Sequence, residues 1–274
     1  MKIAKVLKKY AAVFKLEMQS KMEYRMDFLM SLVSGGFTVI IQLFLWTAIY
    51  GGQADEEAVL FGYEYSQMVV YVVMAAIMAR IVATGFEYDI MSDIMEGNMN
   101  RFFVQPIGHL PYRIVGFLGA KVVENVMAII IGAGLLITLT FTVGAEFNFL
   151  NILIALAVAP LSLLINAMMF YFLSATSFWL TWGWGVFNGW GVVTTILSGG
   201  IFPISVFGET AVSILRFLPF QYIIYFPLNI VVGNASRAMV FEGIAMQLIW
   251  ILIFMGLSKL YWRVGMKKYI AARG

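Results

Sequence analysis

The sequence predicts an all-α polytopic membrane protein: six transmembrane helices, an amphipathic interfacial helix ahead of them, and re-entrant outer helices between spans five and six. Three observations predict it. The 274 residues are 62% hydrophobic and only 12% charged, where a soluble domain is nearer half apolar and a quarter charged. The apolar residues arrive in runs of about 20, enough to cross a bilayer core of roughly 30 Å as helix. Lysines and arginines gather at the two ends of the chain, outside those runs.

Residues 1–27 place Ile3, Val6, Leu7, Tyr10, Val13, Phe14 and Leu16 at roughly helical spacing, with lysines between them. That is the pattern of an amphipathic helix on the inner leaflet, the alternative being a solvated basic tail. The basic region is too long for a cleavable signal peptide, and no short apolar core precedes a small-residue site. Spans are expected at 28–50, 66–86, 114–143, 149–178 (with Pro160 inside), 184–204 and 240–262, so that 28–262 is the membrane domain. Such helices satisfy their own backbone hydrogen bonds, as hydrocarbon demands.

Charge sets the orientation. Lys2, Lys5, Lys8, Lys9, Lys15, Lys21 and Arg25 precede the first span, and Arg263, Lys267, Lys268 and Arg273 follow the sixth in a basic tail, 263–274. The first inter-span loop holds Asp55, Glu56, Glu57 and Glu64 and no Lys or Arg. Basic flanks stay cytoplasmic, so both termini are expected inside. The charged, Gly- and Pro-bearing stretch 87–112 then also lies in the cytoplasm. The outer stretch 205–239 is too long for a turn and holds two apolar pieces, 211–218 and 222–232, punctuated by Pro203, Pro219 and Pro227. Neither reaches spanning length, which fits re-entrant or interfacial helices. Gly199-Gly200 and Pro203 should break the fifth span near its outer end.

Composition excludes much chemistry. With no cysteine and one histidine, His109, a disulfide scaffold, a thiolate or His-cluster metal centre and a thiol nucleophile are ruled out. No GxxxxGK[ST] phosphate loop, HExxH or GxSxG is present, so neither enzyme activity nor ATP hydrolysis by this chain is expected. A net charge of +3 speaks for membrane orientation and not for nucleic acid.

Intramembrane ionisable residues are functional candidates by default. Arg80, Lys121 and Glu124 lie towards the inner ends of spans two and three. They read as structural ion pairing, with Arg80 and Lys121 snorkelling to the interface and Glu124 paired to one of them, or as a proton relay. In span five, Gly185 and Gly189 form a GxxxG pair that permits close helix contact. Phe187, Asn188, Trp190, Thr194, Thr195 and Ser198 make this helix a candidate for subunit contact or for lining a substrate route; Trp179, Trp182, Trp184 and Trp190 are otherwise interface anchors. Asn166, near the middle of span four, is a lone polar residue of the kind that bonds between helices.

The stretch 87–112 carries the function argument. Glu87, Asp89, Asp93 and Glu96 continue helically from span two, Gly97-Asn98 reads as a helix stop, and residues 99–104 form a short amphipathic turn. Gln105-Pro106 and Pro111 force extended geometry before span three. Phe102 and Phe103, if exposed there, call for lipid or a partner.

Ile94-Met95-Glu96-Gly97-Asn98-Met99-Asn100-Arg101-Phe102-Phe103-Val104-Gln105-Pro106 resembles the I-x-x-G-x-(L/M)-x-x-(F/L)-(L/F)-x-x-P pattern between spans two and three of type-2 ABC exporter membrane subunits. A second likeness follows span five: Ser198-Gly199-Gly200-Ile201-Phe202-Pro203, Leu215-Arg216-Phe217-Leu218-Pro219-Phe220-Gln221-Tyr222, then Tyr225-Phe226-Pro227 and Gly233. The chain is most similar to the small six-span bacterial subgroup, although a proline often found after the FP pair is replaced around Val206-Phe207-Gly208-Glu209. The resemblance implies a permease in the bacterial cell membrane, exporting a hydrophobic or amphipathic small molecule, peptide or lipid-like substrate. Residues 1–27 would be a connecting helix. Glu96, Gly97, Asn98, Arg101, Phe102, Phe103, Gln105 and Pro106 would couple to a separate ATP-binding subunit, present in two copies, which holds the ATP and Mg. A second permease, identical or homologous, would complete the route, and Phe202, Pro203, Leu218, Pro219, Tyr222 and Pro227 would form the outer gate. The alternatives are an ion-coupled secondary transporter, which should show inverted repeats and midplane polar sites, and a non-transporting scaffold.

Overall fold

A computed structural model describes residues 2–23, 25–51, 59–104, 107–180 and 183–273. Eleven α-helices are found among them: α1 Lys2–Glu23, α2 Arg25–Gly51, α3 Tyr65–Val82, α4 Phe86–Met95, α5 Asn100–Val104, α6 His109–Val143, α7 Phe149–Ser174, α8 Trp184–Leu197, α9 Glu209–Leu215, α10 Tyr225–Val232 and α11 Arg237–Arg273. The described residues form no strand, only a single bridge between Leu60 and Tyr63.

Four helical stretches are long and apolar enough to cross a membrane: Tyr65–Met95, His109–Val143, Phe149–Phe178 and Arg237–Ala271; Gly35–Gly51 is a shorter apolar helix. Their apolar side chains divide between a shared core and an outer surface that stays bare. Phe44, Phe141 and Phe241, for instance, are each more than 70% exposed. A surface of this kind calls for lipid or a protein partner.

Two helices run beyond any bilayer. At 1.5 Å per residue α6 and α11 reach about 50–55 Å, against a core of roughly 30 Å. The basic segment 263–273 continues α11, and Tyr269 within it is buried.

α8 is the opposite case. Its 14 residues span only about 21 Å. It stops at Leu197, and Gly199 follows with φ +82, a backbone region open to glycine at no steric cost. The break expected at Gly199-Gly200 is where the helix ends, and residues 198–203, expected inside the fifth span, form turns beyond it.

The second span differs from expectation in one respect: the helix does not run on unbroken into 87–96. Ala83-Thr84-Gly85 interrupt it between α3 and α4. Breaking a helix frees the last carbonyls of the turn before it. Two side chains from elsewhere meet them: Asn166 Nδ2 donates to the Val82 carbonyl at 2.8 Å, and Lys121 Nζ to the Arg80 carbonyl at 2.9 Å.

The outer stretch folds as two short helices, α9 and α10, with turns of 3-10 helix at Ile204–Phe207 and Phe220–Tyr222. α10 is buried, with Phe226, Leu228, Ile230 and Val231 in the core against α3 and α7. Polar groups fix the turn before it: Ser162 Oγ and Gln247 Nε2 both donate to the Tyr222 carbonyl, at 3.0 and 2.9 Å. Within α10, Asn229 Oδ1 accepts from Tyr63 at 2.8 Å. Burial pushes the Tyr63 phenol far above its ordinary range, so it stays a neutral donor. Where the familiar proline is replaced, Gly208 takes φ +87 and starts α9.

Candidate functional site

Two places gather the polar side chains: a charged joint around Asp93, and a cavity between α3–α4 and α8.

Asp93 sits on α4 with 2% of its side chain exposed. Its Oδ2 accepts from Arg113 Nε at 2.8 Å and Nη2 at 2.6 Å and lies 2.9 Å from His109 Nε2, while Oδ1 accepts from Arg101 Nη2 at 3.2 Å. Arg113 also reaches Asp89 Oδ2 at 3.3 Å. One carboxylate thus ties α4 to α5 and to the start of α6. Charge-assisted hydrogen bonds of this kind are about twice as strong as neutral ones, and a buried carboxylate this well satisfied stiffens the segment it holds.

The segment held is 96–104. Glu96 closes α4, its carboxylate accepting from Ser92 Oγ at 2.8 Å and Asn98 Nδ2 at 3.0 Å. Gly97 turns the chain at φ +81, and α5 follows. Phe102 is not the exposed ring that the sequence suggested. It is half-buried, edge-on to His109 at 4.8 Å and tilted on Tyr112 at 5.5 Å, with the Arg101 guanidinium 4.7 Å from its centroid. Val104 is the apolar side chain that stands out, 88% exposed. Tyr269 of α11 donates to Asn100 Oδ1 at 3.3 Å, bringing the chain's end to the same place. Gln105, Pro106 and the Phe103 side chain lie outside the described residues, as does Trp182.

The ion group of spans two and three is drawn together. Lys121 is buried, 3.0 Å from Glu124 Oε2, and its ammonium also meets the Arg80 carbonyl freed at the end of α3. Glu124 also takes Lys21 of α1 at 3.0 Å.

The cavity measures about 470 Å³, inside the range of small-molecule sites. Of the fifth-span candidates, Phe187, Asn188, Thr194 and Thr195 of α8 and Ser198 just after it line the cavity. Trp190 does not: it packs toward Phe220, ring centroids 6.0 Å apart. Gly185 and Gly189 face open space, with nothing within 4 Å of where a Cβ would stand among the described residues. From the other side come Glu87 and Tyr88 of α4 and Asn166 and Phe170 of α7. Tyr88 donates to Asn188 Oδ1 at 3.2 Å and lies 5.5 Å from the Phe187 ring.

Of the outer-gate residues, Phe202 lies edge-on to Trp46 at 6.4 Å. Pro219, Tyr222 and Pro227 are buried and Leu218 half-buried, while Pro203 introduces the 3-10 turn at Ile204–Phe207. Among the described residues no group of three or more His, Asp or Glu side chains could hold a metal ion.

Sequence reading missed Asp93, His109 and Arg113 as a unit. The signal was faint: acids at 89 and 93 share a helix face, and His109 and Arg113 share another, but nothing in one dimension says that these faces meet.

An all-helical chain with several apolar membrane-length helices, a polar cavity among them and a charged joint at one end is a multi-pass membrane protein. The family model for ABC-2 family transporter protein matches residues 37–273, and the chain belongs to that family. It is a permease subunit of an ABC transporter, and the family implies an ABC system with an ATPase partner. In such a system the membrane subunit serves transport and not catalysis. No curated protein matches the chain.

Proposed function

We propose that this chain is the permease of an ABC exporter, crossing the membrane six times with α2 and α8 as its first and fifth crossings. Both termini lie in the cytoplasm of a bacterial cell, and α1 rests at the inner interface as a connecting helix. A separate ATPase, in two copies, holds ATP and Mg and drives two permeases, identical or homologous, paired along the open glycine face of α8. The substrate is a hydrophobic or amphipathic small molecule, peptide or lipid-like compound, and 202–227 form the outer gate.

The observation that carries this reading is the joint at 96–104. A short helix, turned by Gly97 and braced by Asp93, projects Val104 bare from a chain with no phosphate loop of its own. A rigid lever passes on a push that a floppy loop would absorb. The braced joint suits a helix seated in a groove of the ATPase, with ATP-driven closure of that partner tilting α4 and, through the break at 83–85, α3.

The test is hydrolysis by the co-purified ATPase. Gly97→Val, which forces a β-branched residue into a left-handed turn, and Val104→Asp should abolish its stimulation by substrate while α-helical content stays unchanged. Stimulation that survives both changes would sink the coupling role.

A further inference from the structure

The cavity between α3–α4 and α8 holds polar chemistry that helix packing does not need. Glu87 is 3% exposed. Its Oε1 accepts from Thr84 at 3.1 Å, while Oε2 has no hydrogen-bond partner among the described residues. Asn166 Oδ1 and Thr194 Oγ1, on residues each 5% exposed, lack a partner in the same sense. All three residues line the one cavity. Leaving a buried acceptor unmet costs free energy, and more so on a charged group. None of the described lining residues is Lys or Arg. The neighbouring acid Asp89 is turned to Arg113.

We propose that this cavity takes a hydrophobic organic amine in its ammonium form, with Glu87 as the counter-ion. The unmet groups are a carboxylate, an amide oxygen and a hydroxyl, all able to accept, so the complementary ligand is a donor of N–H bonds. A carboxylate in a poorly solvated wall repels anions and selects positive charge. The rings of Tyr88, Phe170 and Phe187 supply an apolar lining, and aromatic faces attract cations as well. A bare metal ion is a poor match, since no group of three His, Asp or Glu side chains gathers among the described residues. Thr84 holds one carboxylate oxygen, which leaves the other without a partner among the described residues.

This inference deepens the exporter reading, on which it rests only in taking the cavity for part of the substrate route. Its test needs no ATPase. The full chain is placed in lipid nanodiscs, and binding of 1-pyrenemethylamine is compared with that of 1-pyrenemethanol, its neutral match, with empty discs subtracted. The wild type should bind the amine saturably and about tenfold or more tighter than the alcohol. Glu87→Gln should lose that preference, Glu87→Asp should keep part of it, and Thr194→Val should weaken the amine alone. A wild type that does not tell amine from alcohol overturns the proposal, and so does Glu87→Gln binding the amine as the wild type does. Should Glu87→Gln fail to fold, an unchanged amine preference in Thr194→Val overturns it equally. A chain that binds the amine but drives no partner ATPase counts against the exporter reading alone. One that couples to the ATPase yet shows no amine preference counts against this inference alone.

Discussion

Asp93 carries a burden out of proportion to its size. Three cationic or hydrogen-bonding side chains, Arg101, His109 and Arg113, converge on one nearly buried carboxylate. Removing the acid leaves several donors unmet, whereas removing one donor leaves the acid with two. Asp93→Asn should therefore destabilise the chain by roughly 3 kcal/mol, and Arg113→Gln by clearly less. Thermal unfolding of the two purified variants checks the order, and an Arg113→Gln chain that melts below Asp93→Asn refutes it. The members of this knot were visible in the sequence as separate polar side chains, sixteen to twenty residues apart for Asp93 with His109 and Arg113. Their meeting was not, because it depends on how α4 and α6 lean together. Asn166 was more open to reading. A lone amide in an apolar run has to find a partner, and it found the carbonyl that the break after Val82 releases.

At the scale of elements, glycine decides where helices touch. α1 lies along the first half of α6, with Tyr10 accepting from the Gly108 N–H at 3.2 Å and Lys21 on Glu124. Between those contacts the Phe14 carbonyl presses on Gly119, where a Cβ would overlap it. Gly134 of the same helix has nothing within 4 Å of a Cβ. Gly119→Leu and Gly134→Leu gain the same helix propensity, about 0.8 kcal/mol or slightly less, so any difference between them measures contact. Gly119→Leu should lift α1 from α6, at a cost of roughly 1–3 kcal/mol, and make residues 2–23 far more open to protease. Gly134→Leu should leave the digestion pattern unchanged. Equal digestion of both would mean that α1 does not depend on this approach. The amphipathic pattern of residues 1–27 predicted a helix and an apolar stripe, and Val6, Leu7 and Leu16 remain exposed as a lipid-facing stripe requires. The sequence did not show that Val13 and Phe14 turn to a protein neighbour, because lipid and helix are equally apolar to a period-based reading.

The whole molecule poses one question on which coupling joint, cavity and gate all depend: which end faces the cytoplasm. Lys2, Lys5, Lys8, Lys9, Lys15, Lys21, Arg101, Arg113, Lys267 and Lys268 lie in segments assigned to one side. Arg216 and Arg237 lie in the stretch assigned to the other, and Arg216 is held by Glu242 at 2.6 Å. On the proposed reading this excess orients the chain with the Asp93 joint inside. The chain's lack of cysteine makes the test direct, since any thiol introduced is the sole one present. Asn98→Cys, in the turn before α5, and Glu209→Cys, at the exposed start of α9, stand at opposite ends on this reading. In intact cells a membrane-impermeant maleimide should label position 209 readily and position 98 only after the membrane is opened. The reverse pattern would turn the molecule over and move the joint away from any cytoplasmic ATPase. Labelling of both positions in intact cells would break the odd number of crossings between them. Residues 98 and 209 are separated by α6, α7 and α8, so the outcome also reports whether the short α8 completes a crossing. Its 14 helical residues fall about 9 Å short of the hydrocarbon core. The turn through Gly199 and Pro203, with the Ser198 carbonyl accepting from the Tyr225 N–H, would then have to supply the rest inside the protein and away from lipid.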